Sequence, residues 1–358
     1  MKCIVCLFFF AYCIFCASCG HVAQNNYLII DLYNHLQLPL EETPVSEVST
    51  SIQIIPLETS DSVLIGTVKN IKLETNKLFI LARNGLFVFD NNGKFLNTVS
   101  SKGRGPKEYI ALSDIYIDKD IVWLLDDSGN KALKYTNSGK FLSSFNFEQP
   151  LWSDFGYYGN DTFIGFLPDY GLPETNVMLA FFNTTGIVDS ILYKTPIPKN
   201  VSAFTSYLYY EAAFVYCANQ IKFKHIFNDT IYKIDNFKLV PEIVLDLGLG
   251  KANENARREA VYNDVSYNLF HGMDVTRLRG ESERYVYLNV GGILIFYDKT
   301  EQKVHKWKFI LPVDARLDLE ESKKFVPMYI DQNGYLIGET VGANPEDNPV
   351  IIIAKLKQ

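Results

Sequence analysis

The chain repeats itself. "VFDNNGKFL" (88–96) and "KYTNSGKFL" (134–142) are near copies, with Gly93 and Gly139 lying 46 residues apart. "FFNTTGIVDSILY" (181–193) brings Gly186 a further 47 on. "IYKIDNFKLVPEIVLDL" (231–247) and "LIFYDKTEQKVHKWKF" (294–309) keep the shape without the glycine. Each copy is an apolar alternation, a polar turn and a second alternation, the pattern of a β-hairpin. Another apolar pair precedes each hairpin, as in "NIKLETNKLFILAR" (70–83) and "DIYIDKDIVWLLDD" (114–127). Such a unit cannot bury both its faces alone, so units must stack. A period near 47 with four strands per unit predicts an all-β fold, the β-propeller.

Six blades are expected, five of them over about 68–100, 113–147, 153–193, 207–247 and 268–309. The sixth offers only three strands, "FVPMYID", "GYLIGETV" and "VIIIAKLK". Its fourth should come from "SIQIIPLE" (51–58), closing the ring and removing two open sheet edges. The six-bladed propeller is thus expected over 46–358, with a solenoid or sandwich as the rival arrangement. Residues 19–45 read as a tether, although "YLIIDLY" (27–33) could add an outer edge strand. Two insertions, "GKANENARREAVYNDV" (250–265) and "DLEESKKF" (318–325), have helical composition.

The N-terminus carries a processing signal. "MKCIVCLFFFAYCIFCASCG" places Lys2 before an apolar stretch and small residues, the layout of a secretory signal peptide over residues 1–18. At about 15 apolar residues it is short for a membrane-spanning helix, which needs roughly 20. Cys16-Ala17-Ser18-Cys19 resembles a bacterial lipobox, which implies lipid attachment at Cys19, with Cys16 standing where the pattern prefers Leu. Cys3, Cys6, Cys13 and Cys16 fall in the removed segment, leaving Cys217 beside Cys19 and no internal disulfide expected. In a blade strand Cys217 reads as a small buried hydrophobe.

"SSKGRGPKEYIALSDIYID" (100–118) poses a choice between a phosphate-cradling loop and a joint between sheets. A phosphate loop needs a helix after it, yet β-branched and aromatic residues follow. "GRGPKEYIALSDIYID" resembles the NHL-repeat pattern at Gly103, Gly105, Tyr109, Ile115, Ile117 and Asp118, and departs from it at Leu112 and Asp114. More broadly, the chain resembles the six-bladed β-propeller lipoproteins of Gram-negative gut bacteria. "IIPLE" (54–58), "GRGPKEY" (103–109) and "NDTIYKID" (228–235) carry that likeness. The loop is therefore expected to be a blade-to-blade crossing, with glycines supplying positive φ and close backbone approach.

No catalytic motif stands out. There is no Gly-x-Ser-x-Gly elbow, and His21, His35, His225, His271 and His305 are scattered without a zinc-binding spacing. "DNNGK" (90–94), "DDSGN" (126–130) and "DQNGY" (331–335) read as turns and not calcium loops. Net charge of −7 and the lack of a basic run exclude nucleic acid as a partner.

Two function classes stay open, since fold does not give function. One is a lipid-anchored envelope binding module, a monomer held on the outer membrane facing the periplasm, taking a protein, peptide or carbohydrate at its disc face or central channel. The other is a propeller enzyme of lactonase or lyase type, which the architecture resembles, with calcium or zinc in the channel. The first residues of the innermost strands converge on a propeller axis. Here these read as Asn70, Asp114, Asp154, Glu211 and His271, with Met328 for the sixth blade. Carboxylates held that close suit a cation or polar ligand, or else ordered water.

Overall fold

The computed structural model describes residues 27–147, 155–166, 179–191, 212–217, 220–225, 228–250, 276–314, 317, 324–344 and 346–358. Its repeated hairpin turns share one chemistry. The Asp90 carboxylate accepts the N–H groups of Asn92 (2.8 Å) and Lys94 (2.9 Å), and Asp331 accepts those of Asn333 (2.9 Å) and Tyr335 (2.8 Å). Gly93, Gly139 and Gly334 then take φ of +84°, +83° and +82°, a region that L side chains rarely enter.

The chain opens with β1 (Leu28–Asp31), a single helical turn α1 (Tyr33–Leu36), β2 (Glu41–Pro44), a second turn α2 (Val45–Val48) and β3 (Ser49–Pro56). Four antiparallel sheets follow. The first is β4 (Val68–Glu74), β5 (Lys77–Ala82), β6 (Gly85–Asp90) and β7 (Phe95–Thr98). The second is β8 (Leu112–Asp118), β9 (Ile121–Asp126), β10 (Lys131–Thr136) and β11 (Phe141–Asn146). The third is β12 (Phe155–Gly159), β13 (Thr162–Phe166), β14 (Leu179–Asn183) and β15 (Gly186–Ile191). The fourth is β16 (Ala212–Cys217), β17 (Gln220–His225), β18 (Thr230–Asp235) and β19 (Lys238–Asp246), with β1 added in parallel outside β19. β20 (Thr276–Glu281), β21 (Tyr285–Val290), β22 (Ile293–Asp298) and β23 (Lys303–His305) come next. β24 (Trp307–Ile310) and β25 (Lys324–Phe325) join β2 in a small side sheet. β26 (Tyr329–Ile330), β27 (Tyr335–Thr340) and β28 (Val350–Leu356) end the chain.

Each sheet is buried on both faces, which explains the near-continuous apolar strands. Along β5, Leu78 and Ile80 pack with Ile351 and Ile353, while Phe79 and Leu81 pack with Ile115 and Leu124 of the second sheet. Trp123 and Phe163 join the second sheet to the third, Phe181 and Phe223 the third to the fourth, and Ile231 and Val286 the fourth to the next. The stacking returns to its start, a β-propeller arrangement. The closing strand is the N-terminal one: β3 pairs antiparallel with β28, Ile54 opposite Ile352. Asn348 locks the segment after it. Its side chain accepts the Ile65 N–H (2.8 Å) and donates to the carbonyls of Glu58 and Val63 (both 2.7 Å).

Several expectations change. Among the described residues the propeller sheets number five, not six, because β20–β23 and β26–β28 with β3 are joined into one eight-stranded sheet. The join is a single parallel bridge, Gly280 to Ile330, where a Cβ on Gly280 would lie 2.0 Å from the Ile330 carbonyl oxygen. The expected tether is built into the rim from residue 28 on. Ile30 and Leu32 are buried there, and Glu41–Pro44 runs parallel to β24. The fifth repeat ends at His305, because Lys306 turns inward to donate to the carbonyls of Leu36 (2.7 Å) and Leu38. The expected helix over 250–265 lies, apart from Gly250, outside the described residues. The one over 318–325 does so up to 323, and Lys324–Phe325 is strand.

Replacing Asn348 with Ala leaves three backbone groups without partners, a cost of about 2–4 kcal/mol. Urea denaturation should show the midpoint falling at unchanged slope. Deleting 46–60 exposes the β28 edge, and size-exclusion chromatography should show aggregation.

Candidate functional site

The loop between β7 and β8 is a joint. The Gly103 N–H donates to the Tyr109 carbonyl (2.8 Å), and the Gly105 N–H to the Glu108 carboxylate (2.8 Å). Gly103 and Gly105 are absent from the positive-φ glycines, so that expected reason fails. The expected close approach is present, but to a side chain and not to backbone: a Cβ on Gly103 would meet Glu108 Oε2 at 1.9 Å. Fully buried Asp126 accepts the N–H groups of Ile110 (3.0 Å), Ala111 (2.9 Å) and Gly129 (2.9 Å), and Lys131 donates to the Gly105 carbonyl (3.1 Å). Tyr109 donates its hydroxyl to the Asn84 carbonyl (3.2 Å), tying the loop back to the first sheet. Carboxylates of the loop (Glu108) and of β9 (Asp126) thus take its N–H groups.

The first strands of successive sheets, β4, β8, β12, β16 and β20, lie beside one another in order. At their starts the structure brings two expected site residues together: Asn70 Nδ2 lies 3.5 Å from Asp114 Oδ1. The Lys69 ammonium beside them donates to the Leu112 carbonyl (2.8 Å), and burial pushes the Asp127 carboxyl up. Asp154, Glu211, His271 and Cys19 lie outside the described residues. Met328 is partly buried and packs against the apolar cluster of Ile71 and Ile337.

At the strand ends a second polar group appears that strand phase alone did not mark. Burial pushes the Glu74 carboxyl up, reinforced by the charges of Asp118 and Asp331. Between the two ends Tyr116 stacks on Tyr157 (4.4 Å between centroids) and lies 5.4 Å from Tyr216, whose hydroxyl donates to the Tyr157 carbonyl (2.9 Å). Lys72 lies 4.7 Å over the Tyr329 ring. Amide, carboxylate, ammonium and half-buried tyrosine rings share the inner strands. Such a set can hydrogen-bond hydroxyls and amides and stack on flat apolar faces.

Other charged groups already have partners. Lys222 bridges Glu242 (2.8 Å) and Glu281 (2.6 Å), and Lys299 also meets Glu281 (2.9 Å). Cys217 is buried beside them, and burial pushes its thiol up. Lys224 is buried among the carbonyls of His225 (2.7 Å), Asn228 and Thr276 (3.5 Å), and desolvation lowers it to about 7. Asp298, Glu301 and His305 converge within 4.8 Å at the β22–β23 turn. Arg284 already engages both acids there, 2.6 Å from Asp298 and 3.1 Å from Glu301, which disfavours a second cation.

Residues 28–355 match a family described as Domain of unknown function (DUF4934). No curated protein matches. Among solved structures, a Bacteroides fragilis protein named as exported is similar with a TM-score of 0.67 at 16% identity, covering 93% of this chain and 100% of that one. A member of the DUF4221 family from Bacteroides vulgatus is similar with a TM-score of 0.51 at 12% identity, covering 87% and 97%. At these identities the likeness is one of fold.

Three outcomes follow from the geometry. Asp126→Ala should cost about 3–5 kcal/mol in urea titration, since three N–H groups lose their acceptor and Lys131 loses the carboxylate 4.0 Å away. Glu74 is raised in the folded state, so its ionisation weakens the fold as pH rises above the normal carboxylate range. Glu74→Gln should therefore raise Tm by about 1–2 °C at pH 7 and by nothing at pH 4. Lys224 has the opposite sign: lowered on folding, it strengthens the fold between pH 7 and the ordinary lysine range. Differential scanning fluorimetry should show wild type gaining on Lys224→Met from pH 6 to pH 9; an unchanged gap would refute the shift.

Proposed function

The chain belongs to the DUF4934 family, and on that premise we propose that it is a lipid-anchored binding module of the bacterial cell envelope. The observation that carries this reading is the contact of Asn70 with Asp114 across the starts of β4 and β8, beside the tyrosines of the next inner strands. Asp154, Glu211 and His271 complete the polar rim in this reading. The ligand is a carbohydrate or peptide that offers hydroxyls or amides to the rim and a flat face to the tyrosines, and calcium or zinc is the cation to test beside it.

The disc is read as six-bladed, with the eight-stranded sheet counted as two blades. Support comes from the single bridge between its halves and from Tyr329, which packs against the cluster of Ile71 beneath Lys72. The anchor is Cys19, on the strength of the Cys16-Ala17-Ser18-Cys19 sequence, and the disc faces the periplasm from the outer membrane.

A thermal-shift screen of sugars, peptides, calcium and zinc tests the site. A ligand at 100 times its Kd adds about 2.7 kcal/mol of stability. The shift should vanish in the Asn70→Ala, Asp114→Ala double variant; a shift that survives it puts the ligand elsewhere. Cys19→Ala should leave the membrane fraction, and its persistence there in high salt would refute the anchor.

A further inference from the structure

The N-terminal rim exposes apolar side chains on a rigid piece of structure. Ile30 and Leu32 are buried against the fourth sheet, so Ile29, next to Ile30 on β1, points outward and is 56% exposed. After β1 the backbone is held tightly. The Leu36 N–H donates to the Leu32 carbonyl (2.8 Å), and buried Lys306 takes the carbonyls of Leu36 (2.7 Å) and Leu38. Tyr33 lies against the short turn Gly248–Gly250, where a Cβ on Gly248 would meet its ring at 2.5 Å. That contact puts Leu249, 96% exposed, beside Tyr33. Leu38 and Leu40 are also more than half exposed, at 53% and 51%. A fully open leucine beside an amphipathic tyrosine suits an interface that is apolar on one side and wet on the other.

One neighbouring acid is offset by a cation and the other lies beside an imidazole that burial holds towards its neutral form. Lys308 pairs with Glu42, and His305 lies 3.8 Å from Glu41. The position of this strip in the chain selects its occupant. Only seven residues separate Cys19 from Tyr27, a reach of at most about 28 Å even when fully extended. An acyl chain on Cys19 would hold the strip against the lipid surface.

We propose that residues 28–40 with Leu249 form a membrane-contacting edge, in which Ile29, Tyr33, Leu38, Leu40 and Leu249 enter the headgroup–acyl boundary of a phospholipid leaflet. The proposal rests on the lipid anchor at Cys19. It adds a defined orientation: the disc stands on the rim of its fourth sheet, and its channel stays open to solvent.

The chain is suited to a direct test, because Cys217 is buried and Cys19 is blocked by its lipid. In mature lipidated protein, Leu38→Cys, Leu249→Cys and, on β11, Leu142→Cys each offer one reactive thiol for an environment-sensitive fluorophore. The labelled proteins are bound to phosphatidylethanolamine–phosphatidylglycerol vesicles carrying brominated acyl chains. Labels at 38 and 249 should be quenched about twofold or more, with blue-shifted emission, while the label at 142 stays unchanged. Equal emission at all three sites, on protein that floats with the vesicles, overturns the edge and leaves the anchor standing. Protein that fails to float overturns both.

Discussion

The antiparallel pairing of β3 with β28 is the interaction on which the rest depends. It joins the two ends of the chain's folded body, so that Ile54 and Ile55 enter clusters on opposite faces of the last sheet. Without it the strand of Ile351 and Ile353 becomes an open edge, and the cluster of Leu78, Ile80 and Phe89 loses one wall. Asn348 and the backbone bond from Lys357 N–H to the Val48 carbonyl (2.9 Å) secure the two flanks of the pairing. A ring closed in this way fixes where every inner strand begins, and hence which side chains share the axis.

The proposed site follows from that geometry and not from any local motif. Asn70 and Asp114 are 44 residues apart in sequence and meet only because their strands occupy the same place in successive sheets. The tyrosines at 116, 157 and 216 meet for the same reason. Repetition thus builds a composite surface from side chains of several sheets. The glycine-rich loop serves the ring in turn, its N–H groups committed to Glu108 and Asp126 and not to a phosphate.

Much of this was legible in the sequence, where periodic patterns carried it. The hairpin turns at Gly93 and Gly139, the missing strand supplied by 51–58 and the outer strand at 28–31 all have alternation or turn chemistry of their own. What escaped has none. Glu41–Pro44 is polar and ends in proline, and it is a strand only because β24 offers it an edge. The merging of two sheets rests on one bridge at Gly280. Lys222 and Lys224 alternate with apolar residues along β17, and both are buried because the next sheet covers that face. Sequence can show that a residue sits on a face; it does not show what lies opposite.

Hydrogen exchange on the intact protein tests the closed ring most directly. The account predicts that peptides covering 49–56 exchange in the same slow class as those covering 350–356, and that the two lose protection together as urea is added, since each strand is the other's partner. Fast exchange over 49–56 beside a protected 350–356 would contradict it, and the ring would have to close elsewhere.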